Sequence, residues 1–196
     1  MSTREIDTPH GPARVHLDEV RDPVGALVLG HGAAGGVGAR DLVAVAGTAR
    51  DLGVSVTLVE QPYLVAGRRS PAPAKQLDAA WTAVIEELRS DVPLVTGGRS
   101  AGARVACRTA EQTGALAVLC LAFPVHPPGR PEKTRLAELD AVSVPTLVVQ
   151  GKSDPFGLPP AGPSRRVVTV TGNHSLKSDL DGVTAAVRDW LPGVVG

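Results

Sequence analysis

The chain has 196 residues, of which 20 are basic and 20 are acidic, so its formal net charge is zero. A balanced charge lacks the basic footprint of nucleic-acid-binding proteins, and we expect no nucleic-acid partner. The longest apolar run, residues 115–123, is too short to cross a bilayer, and the N-terminal residues contain no apolar signal core. The sequence therefore predicts one cytoplasmic domain over residues 1–196, without a membrane partner.

Apolar segments alternate between strand-like runs and stretches with helical periodicity, which is typical of a parallel sheet with helices on both faces. A hairpin that turns at residues 9–12 is predicted to come first. The predicted strands are 26–29, 54–60, 93–97, 116–121, 146–150 and 167–170. The predicted helices are 40–52, 74–90, 101–113, 132–139 and 180–190. We expect an α/β fold with a mostly parallel central sheet and an N-terminal antiparallel hairpin.

Ser100 lies in the pentapeptide GRSAG, residues 98–102, directly after the predicted strand 93–97. Such a Gly-x-Ser-x-Gly at a strand end is typical of a nucleophile on a sharp strand-to-helix turn, because Gly98 and Gly102 carry no side chain to collide with their neighbours. A chain this rich in glycine also produces the pattern by chance. The surrounding residues must therefore support the assignment.

A serine nucleophile needs a base that takes its proton and an acid that orients the base. His174 follows the last predicted strand, and Asp154 follows the strand before it. Because the carboxyl ends of parallel strands meet at one edge of the sheet, we expect Ser100, Asp154 and His174 to lie together. The loop FPVHPP, after the preceding strand, contains no competing acid.

Acyl transfer also requires N–H groups that stabilise an oxyanion. One predicted donor is the amide of Ala101, at the start of the helix after Ser100. The second is expected from the glycine-rich loop GHGAAGG, residues 30–36, which can bend close to the nucleophile. We assign Ala33 as that donor.

The same loop contains the pattern GxGxxG over residues 30–35, a formal dinucleotide-binding fingerprint, with Glu60 at the end of the next predicted strand. Glu60 lies 25 residues beyond Gly35, and further glycines delay the helix that should receive the pyrophosphate. A dinucleotide-binding oxidoreductase is therefore the minor alternative.

Cys107 and Cys120 are isolated and do not have the spacing of metal ligands, and we predict no metal and no cofactor.

The chain resembles an α/β-hydrolase of the dienelactone-hydrolase-like branch, and more narrowly the small predicted hydrolases related to NSL-complex-subunit and testis-expressed proteins. The resemblance runs from about Leu27 to the C-terminus, through LGHGAAGG, QPYLVAGRRSPAP, GGRSAGARVA, FPVHPPGRPEKTR, VVQGKSDPFG and GNHSL. It implies the roles assigned above to the triad and to the two oxyanion amides, within a fold that has no large cap domain. Dienelactone hydrolases carry a cysteine where this chain has Ser100, so lactone activity does not follow. Because some relatives act as scaffolds, a non-catalytic interaction module is the alternative function.

Three arginines are expected to border the site. Arg68 and Arg69 follow the strand 54–60, which we expect beside the strand that bears Ser100, and Arg99 adjoins the serine itself. A guanidinium suits a carboxylate or phosphate, so these residues predict a small-molecule substrate that carries negative charge. If the arginines instead pair with acids such as Glu60, their role is to stabilise the loops that carry them.

The sequence makes no prediction of the oligomeric state. It predicts a serine hydrolase that cleaves a small ester or related acyl bond through an acyl-enzyme intermediate.

Overall fold

The computed structural model describes residues 2–33 and 35–196. Its strands are β1 (Ser2–Ile6), β2 (Ala13–Asp18), β3 (Gly25–Gly30), β4 (Val54–Glu60), β5 (Leu94–Arg99), β6 (Ala117–Leu121), β7 (Thr146–Gly151) and β8 (Arg165–Val170). Its helices are α1 (Arg40–Asp51), α2 (Pro62–Val65), α3 (Ala74–Glu87), α4 (Ala101–Thr113), α5 (Leu136–Asp140), α6 (Leu180–Trp190) and α7 (Pro192–Val195).

The strands form one sheet in the order β1-β2-β4-β3-β5-β6-β7-β8. Strands β3 to β8 run parallel to one another, whereas β1 and β2 form an antiparallel pair at one edge. The predicted architecture and the N-terminal hairpin are therefore confirmed. Between β6 and β7 the chain forms only a loop and the short helix α5, so no cap domain covers the sheet there.

Both faces of the sheet are buried under helices. Along β3, Leu27 and Leu29 pack into the core beneath α1 and α6, while Val28 points to the opposite face. On that opposite face Trp81 of α3 and Ala106 of α4 fill the space above the strands. This alternation explains why β3 is apolar along its whole length, as strands buried on both faces are.

One expectation about strand order was wrong. Strand β3 lies between β4 and β5, because its residue Val28 pairs with Thr57 on one side and Thr96 on the other. The loop that carries Arg68 and Arg69 follows β4, and β3 separates β4 from β5, the strand that leads to Ser100.

The boundaries of the short helices also differ from the prediction. Helix α5 begins at Leu136 rather than near residue 132, and α2 and α7 were not predicted at all. Four-residue helices such as α2 and α7 are too short to show a hydrophobic period in the sequence. Within the described residues, no helix has the length and apolar character that crossing a membrane would require.

Candidate active site

Ser100 forms a sharp turn between β5 and α4. Its backbone has φ 53° and ψ −106°, a conformation that costs a residue with a side chain about 1–3 kcal/mol. The Ser100 amide donates a hydrogen bond of 2.9 Å to the carbonyl of Leu121 at the end of β6, which holds the turn against the sheet. The turn lifts the hydroxyl above the carboxyl edge of the strands.

The two glycines of the pentapeptide are sterically required. A Cβ atom at Gly98 would lie 2.5 Å from the carbonyl oxygen of Gly30, and a Cβ at Gly102 would collide with that same oxygen. Gly102 would also approach the carbonyl oxygen of His31 to 2.9 Å. The prediction that both positions need glycine for close packing is confirmed, and the close approach brings the loop after β3 next to Ser100.

The structure brings Ser100, His174 and Asp154 together. His174 Nε2 lies 2.9 Å from Ser100 Oγ, and its Nδ1 lies 2.8 Å from Asp154 Oδ2. An ionised carboxylate only accepts hydrogen bonds, so Nδ1 carries the proton and Nε2 accepts the serine hydroxyl. The Asp154 side chain is fully buried and the His174 side chain is 17% exposed. The arrangement can remove a proton from the serine.

Two residues that the sequence reasoning missed hold Asp154 in place. The side-chain amide of the buried Gln150 donates 2.8 Å to Asp154 Oδ2, and the backbone amide of Phe156 donates 2.8 Å to Oδ1. The Phe156 ring packs edge-on against the His174 ring, with centroids 4.4 Å apart. A glutamine inside the apolar strand β7 was the available sequence signal, because buried polar side chains need a partner.

Ala33 and Ala101, the two predicted oxyanion donors, line the same cavity as Ser100 and His174. Among residues 2–33 and 35–196, neither amide N–H donates a hydrogen bond to a protein acceptor. Backbone donors left without a protein partner beside a nucleophile are suited to bind a developing oxyanion. Both residues therefore lie beside Ser100, and their role as oxyanion donors stays a prediction.

The loop that carries Ala33 is anchored by His31 and Tyr63. The buried His31 ring donates from Nδ1 to the carbonyl of Gly32 at 2.8 Å and accepts at Nε2 from the amide of Gln61 at 3.1 Å. Burial lowers the pKa of His31, against the opposing backbone hydrogen bonds and the charge of Glu60. The ring stays neutral and can accept as well as donate. The Tyr63 hydroxyl donates to the Ala33 carbonyl at 3.2 Å.

The cavity beside Ser100 has a volume of about 400 Å³. Apolar side chains of Pro71, Leu77, Pro124 and Phe156 form part of its wall. Volume and lining fall within the range of small-molecule binding sites. Its other wall is basic and is formed by Arg99, Arg104, Arg108 and Arg135.

Of the three arginines predicted to bind substrate, only Arg99 lines this cavity. Its Nε donates 2.9 Å to Asp41 Oδ2 and its Nη2 donates 3.0 Å to the carbonyl of His174. Arg68 and Arg69 are exposed, and Arg68 borders a separate cavity of about 80 Å³ beside α2. The substrate-binding role of all three stays a prediction.

The glycine-rich loop does not lead directly into a helix. Helix α1 begins at Arg40, five residues after Gly35, so the glycines of the formal dinucleotide pattern are not at a helix N-terminus. The loop instead packs its Gly30 carbonyl against Gly102, beside the serine. In the part of the chain that the structure describes, no group of three or more His, Cys, Asp or Glu side chains is arranged to hold a metal ion.

The model of a family described as an alpha/beta hydrolase domain matches residues 23–180. The chain belongs to the alpha/beta hydrolase domain family. The match covers most of this hydrolase domain, from the end of the β2–β3 connection to the first residue of α6. No curated protein matches its sequence.

Solved structures share the fold of the hydrolase domain. A serine hydrolase without a lid from Xanthomonas campestris has a TM-score of 0.75 at 21% identity, over 97% of this chain and 95% of that chain. Est1E from Butyrivibrio proteoclasticus has a TM-score of 0.80 at 18% identity, over 100% and 99% of the two chains. A dienelactone hydrolase from Anabaena variabilis has a TM-score of 0.76 at 15% identity, over 98% and 97%. At these identities the likeness establishes the fold.

Proposed function

We propose that this hydrolase cleaves a small ester or related acyl bond, with Ser100 as nucleophile, His174 as general base and acid, and Asp154 as the orienting acid. The observation that carries the proposal is the continuous hydrogen-bonded chain from Ser100 Oγ through both His174 nitrogens to Asp154, at 2.9 and 2.8 Å. A structural role for Ser100 alone would need neither the strained turn nor the buried carboxylate behind the histidine.

In acylation, Ser100 Oγ attacks the acyl carbon while its proton passes to His174 Nε2. The carbonyl electron pair moves onto the oxygen, which the Ala33 and Ala101 amides stabilise. Collapse of the tetrahedral intermediate breaks the bond to the leaving group, which takes the proton from His174. Ser100 is then esterified, and the alcohol or other leaving group departs.

Deacylation repeats these steps with water as the nucleophile. Water gives a proton to His174 as its oxygen attacks the acyl carbon, and the second intermediate expels Ser100 Oγ, which regains that proton. The product is a carboxylic acid and the free serine. Asp154 stays ionised throughout and stabilises the charged imidazole.

The geometry supports a small substrate. A cavity of about 400 Å³ and the single short helix between β6 and β7 leave little room to bury a long acyl chain. Est1E has been solved with ferulic acid bound, and a carboxylic acid product of comparable size suits a cavity of this volume. The basic wall supports a substrate with negative charge. We also propose that residues 1–196 form one domain. The narrower resemblance to hydrolases related to NSL-complex-subunit and testis-expressed proteins is a further proposal, which the sequence segments quoted above support.

Hydrolysis of short-chain para-nitrophenyl esters by the wild type and five variants tests the proposal. Ser100→Ala and His174→Ala should each lower kcat by about 10⁴-fold or more, with Asp154→Asn somewhat less damaging. Combining Ser100→Ala with His174→Ala should cost no more than either change alone, because triad members act as one unit. Ser143→Ala, at an exposed position away from the cavity, is the matched control.

Circular dichroism of each variant checks that the fold is retained. Full activity of a folded Ser100→Ala protein would show that the nucleophile assignment is wrong. Absence of turnover by the wild type, together with absence of reaction with a serine-directed phosphonate, would favour the non-catalytic interaction module instead.

A further inference from the structure

Four arginines but no aspartate or glutamate belong to the described wall of the cavity beside Ser100. Three of these arginines form ion pairs with carboxylates that do not line the cavity. Arg99 binds Asp41 at 2.9 Å, as described above.

Arg104 and Arg108 project from consecutive turns of α4 and share Glu138 of α5. Arg104 donates to both Glu138 oxygens, at 2.8 and 2.5 Å, and Arg108 reaches the same carboxylate at 3.2 Å. Arg108 also forms a two-pronged pair with Asp78 of α3, at 2.8 and 2.6 Å. Three carboxylates therefore hold three guanidinium groups. Arg104 and Arg108 join α4 to α3 and α5, whereas Arg99 is held by Asp41 of α1.

Arg135 differs from the other three. Within residues 2–33 and 35–196 its guanidinium takes part in no ion pair and no hydrogen bond, although its backbone amide is fixed to the Val125 carbonyl at 2.7 Å. The residue is half-buried. Burial lowers the pKa of Arg135, and the charges of Arg104 and Arg108 lower it further, against the opposing effect of Glu138. An anion placed beside it would relieve this repulsion.

We propose that Arg135 is the specificity-determining residue of the site and binds a carboxylate carried by the substrate, at a distance from the bond that Ser100 attacks. This inference rests on the proposed hydrolase function. Arg135 lines the same cavity as Ser100 and His174, so one small molecule can contact all three. It replaces Arg68 and Arg69, which lie outside the cavity, as the origin of a preference for negative charge.

A carboxylate fits the charge of this wall better than a phosphate monoester. With three of the four guanidinium groups balanced, one positive charge remains, and a carboxylate supplies one negative charge. A phosphate monoester carries about −1.5 to −2 at neutral pH and would leave an excess of negative charge. A planar guanidinium also matches the two oxygens of a carboxylate.

Calorimetric titration of the Ser100→Ala protein tests the subsite without requiring turnover. The probes are monomethyl adipate, dimethyl adipate and a phosphate monoester of similar length. Monomethyl adipate should bind about tenfold more tightly than the neutral diester. That advantage should disappear when Arg135→Gln is added, and Arg135→Lys should restore only part of it because the fork geometry is lost. Lys133→Gln, which removes an exposed cation of the same loop, should leave the advantage unchanged.

Kinetics then connect the subsite to the reaction. The mono-para-nitrophenyl ester of adipic acid should show kcat/KM about tenfold above that of para-nitrophenyl heptanoate in the wild type and in Lys133→Gln, and near parity in Arg135→Gln.

Equal binding of monoester and diester, or an advantage that survives Arg135→Gln, would overturn the subsite even if both esters are hydrolysed by Ser100. Tighter binding of the phosphate monoester would overturn the carboxylate assignment. Carboxylate binding that depends on Arg135 in a protein without any hydrolytic activity would support the subsite and contradict the proposed hydrolase function, so the two failures are distinguishable.

Discussion

Arg99 directly precedes the strained Ser100 and connects three segments of the site. Its guanidinium bridges Asp41, at the start of α1, and the carbonyl of His174, in the loop after β8. Asp41 is only 1% exposed, and burial raises its pKa against the opposing charge of Arg99. A buried ion pair of this kind is costly to break, because the remaining charge loses its partner inside the protein. The pair therefore braces both the turn at Ser100 and the loop that carries His174.

We predict that Asp41→Asn lowers the free energy of unfolding by about 2 kcal/mol. The loss falls short of the full cost of an orphaned buried charge, since the asparagine oxygen and the His174 carbonyl still accept from Arg99 and the Arg99 side chain is 17% exposed. Urea denaturation measures the change. Asp51→Asn, an exposed position on the same helix, should stay within about 0.5 kcal/mol of the wild type. A loss no larger for Asp41 than for Asp51 would contradict the bracing role.

Helices α1 and α4 each contain a glycine, and replacing that glycine should have opposite effects on stability in the two helices. Gly102, in the first turn of α4, faces the Gly30 carbonyl across a contact that leaves no room for a methyl group. Gly47, in α1, is exposed, and a Cβ there would meet nothing within 4 Å. The difference lies in tertiary packing and not in helix propensity.

We predict that Gly47→Ala raises the free energy of unfolding by about 0.5–1 kcal/mol, because alanine favours the helix and restricts the unfolded chain. Gly102→Ala should instead lower it by about 1–3 kcal/mol through overpacking, and should also impair hydrolysis by displacing the serine turn. Both changes are read from parallel urea titrations. A stabilising effect of Gly102→Ala would show that the loop after β3 does not pack tightly against α4.

The bridge between α4 and α5 should make stability depend on pH. Burial alone would raise the pKa of Glu138, but the hydrogen bonds and charges of Arg104 and Arg108 outweigh it, so that the pKa lies below its ordinary value of 4.5. A carboxyl whose pKa is lower in the folded state stabilises the fold above its unfolded pKa, and this contribution is lost as the pH falls through the folded value.

Glu138→Gln should accordingly destabilise the protein most near neutral pH, and the difference from the wild type should shrink once the pH falls below about 4.5. Unfolding free energies of the two proteins between neutral pH and pH about 3 measure this convergence. Glu111→Gln on α4, an exposed glutamate, provides the comparison. A constant difference at all pH values would mean that the loss comes from packing instead of from the charge.

At the scale of the whole molecule, the residues proposed for catalysis all follow strands that end at one edge of the sheet. Ala33 follows β3, Ser100 follows β5, Asp154 follows β7 and His174 follows β8. All four strands are parallel, so their carboxyl ends coincide. Because of this, the order of the predicted strands along the chain and the loops that follow them sufficed to select these residues as candidates before their distances were known.

Other features of the site could not be read from the sequence. The position of β3 between β4 and β5 is set by pairing in the sheet, and chain order does not reveal it. The partner of Arg99 lies 58 residues away along the chain, and sequence proximity gave no indication of it. Arg135 fell inside a helix predicted for residues 132–139, whereas the helix begins at Leu136 and leaves the arginine at the end of the loop. Long-range ion pairs and loop ends depend on tertiary packing.

Reaction with a serine-directed fluorophosphonate, followed by intact-mass and peptide mass spectrometry, tests the central claim most directly. The claim predicts one phosphonylated residue per chain, Ser100, with no labelling of Ser100→Ala and strongly slowed labelling of a folded His174→Ala protein, which lacks the base. Labelling of another residue, or equal labelling rates with and without His174, would contradict the assignment of Ser100 as a nucleophile activated by His174.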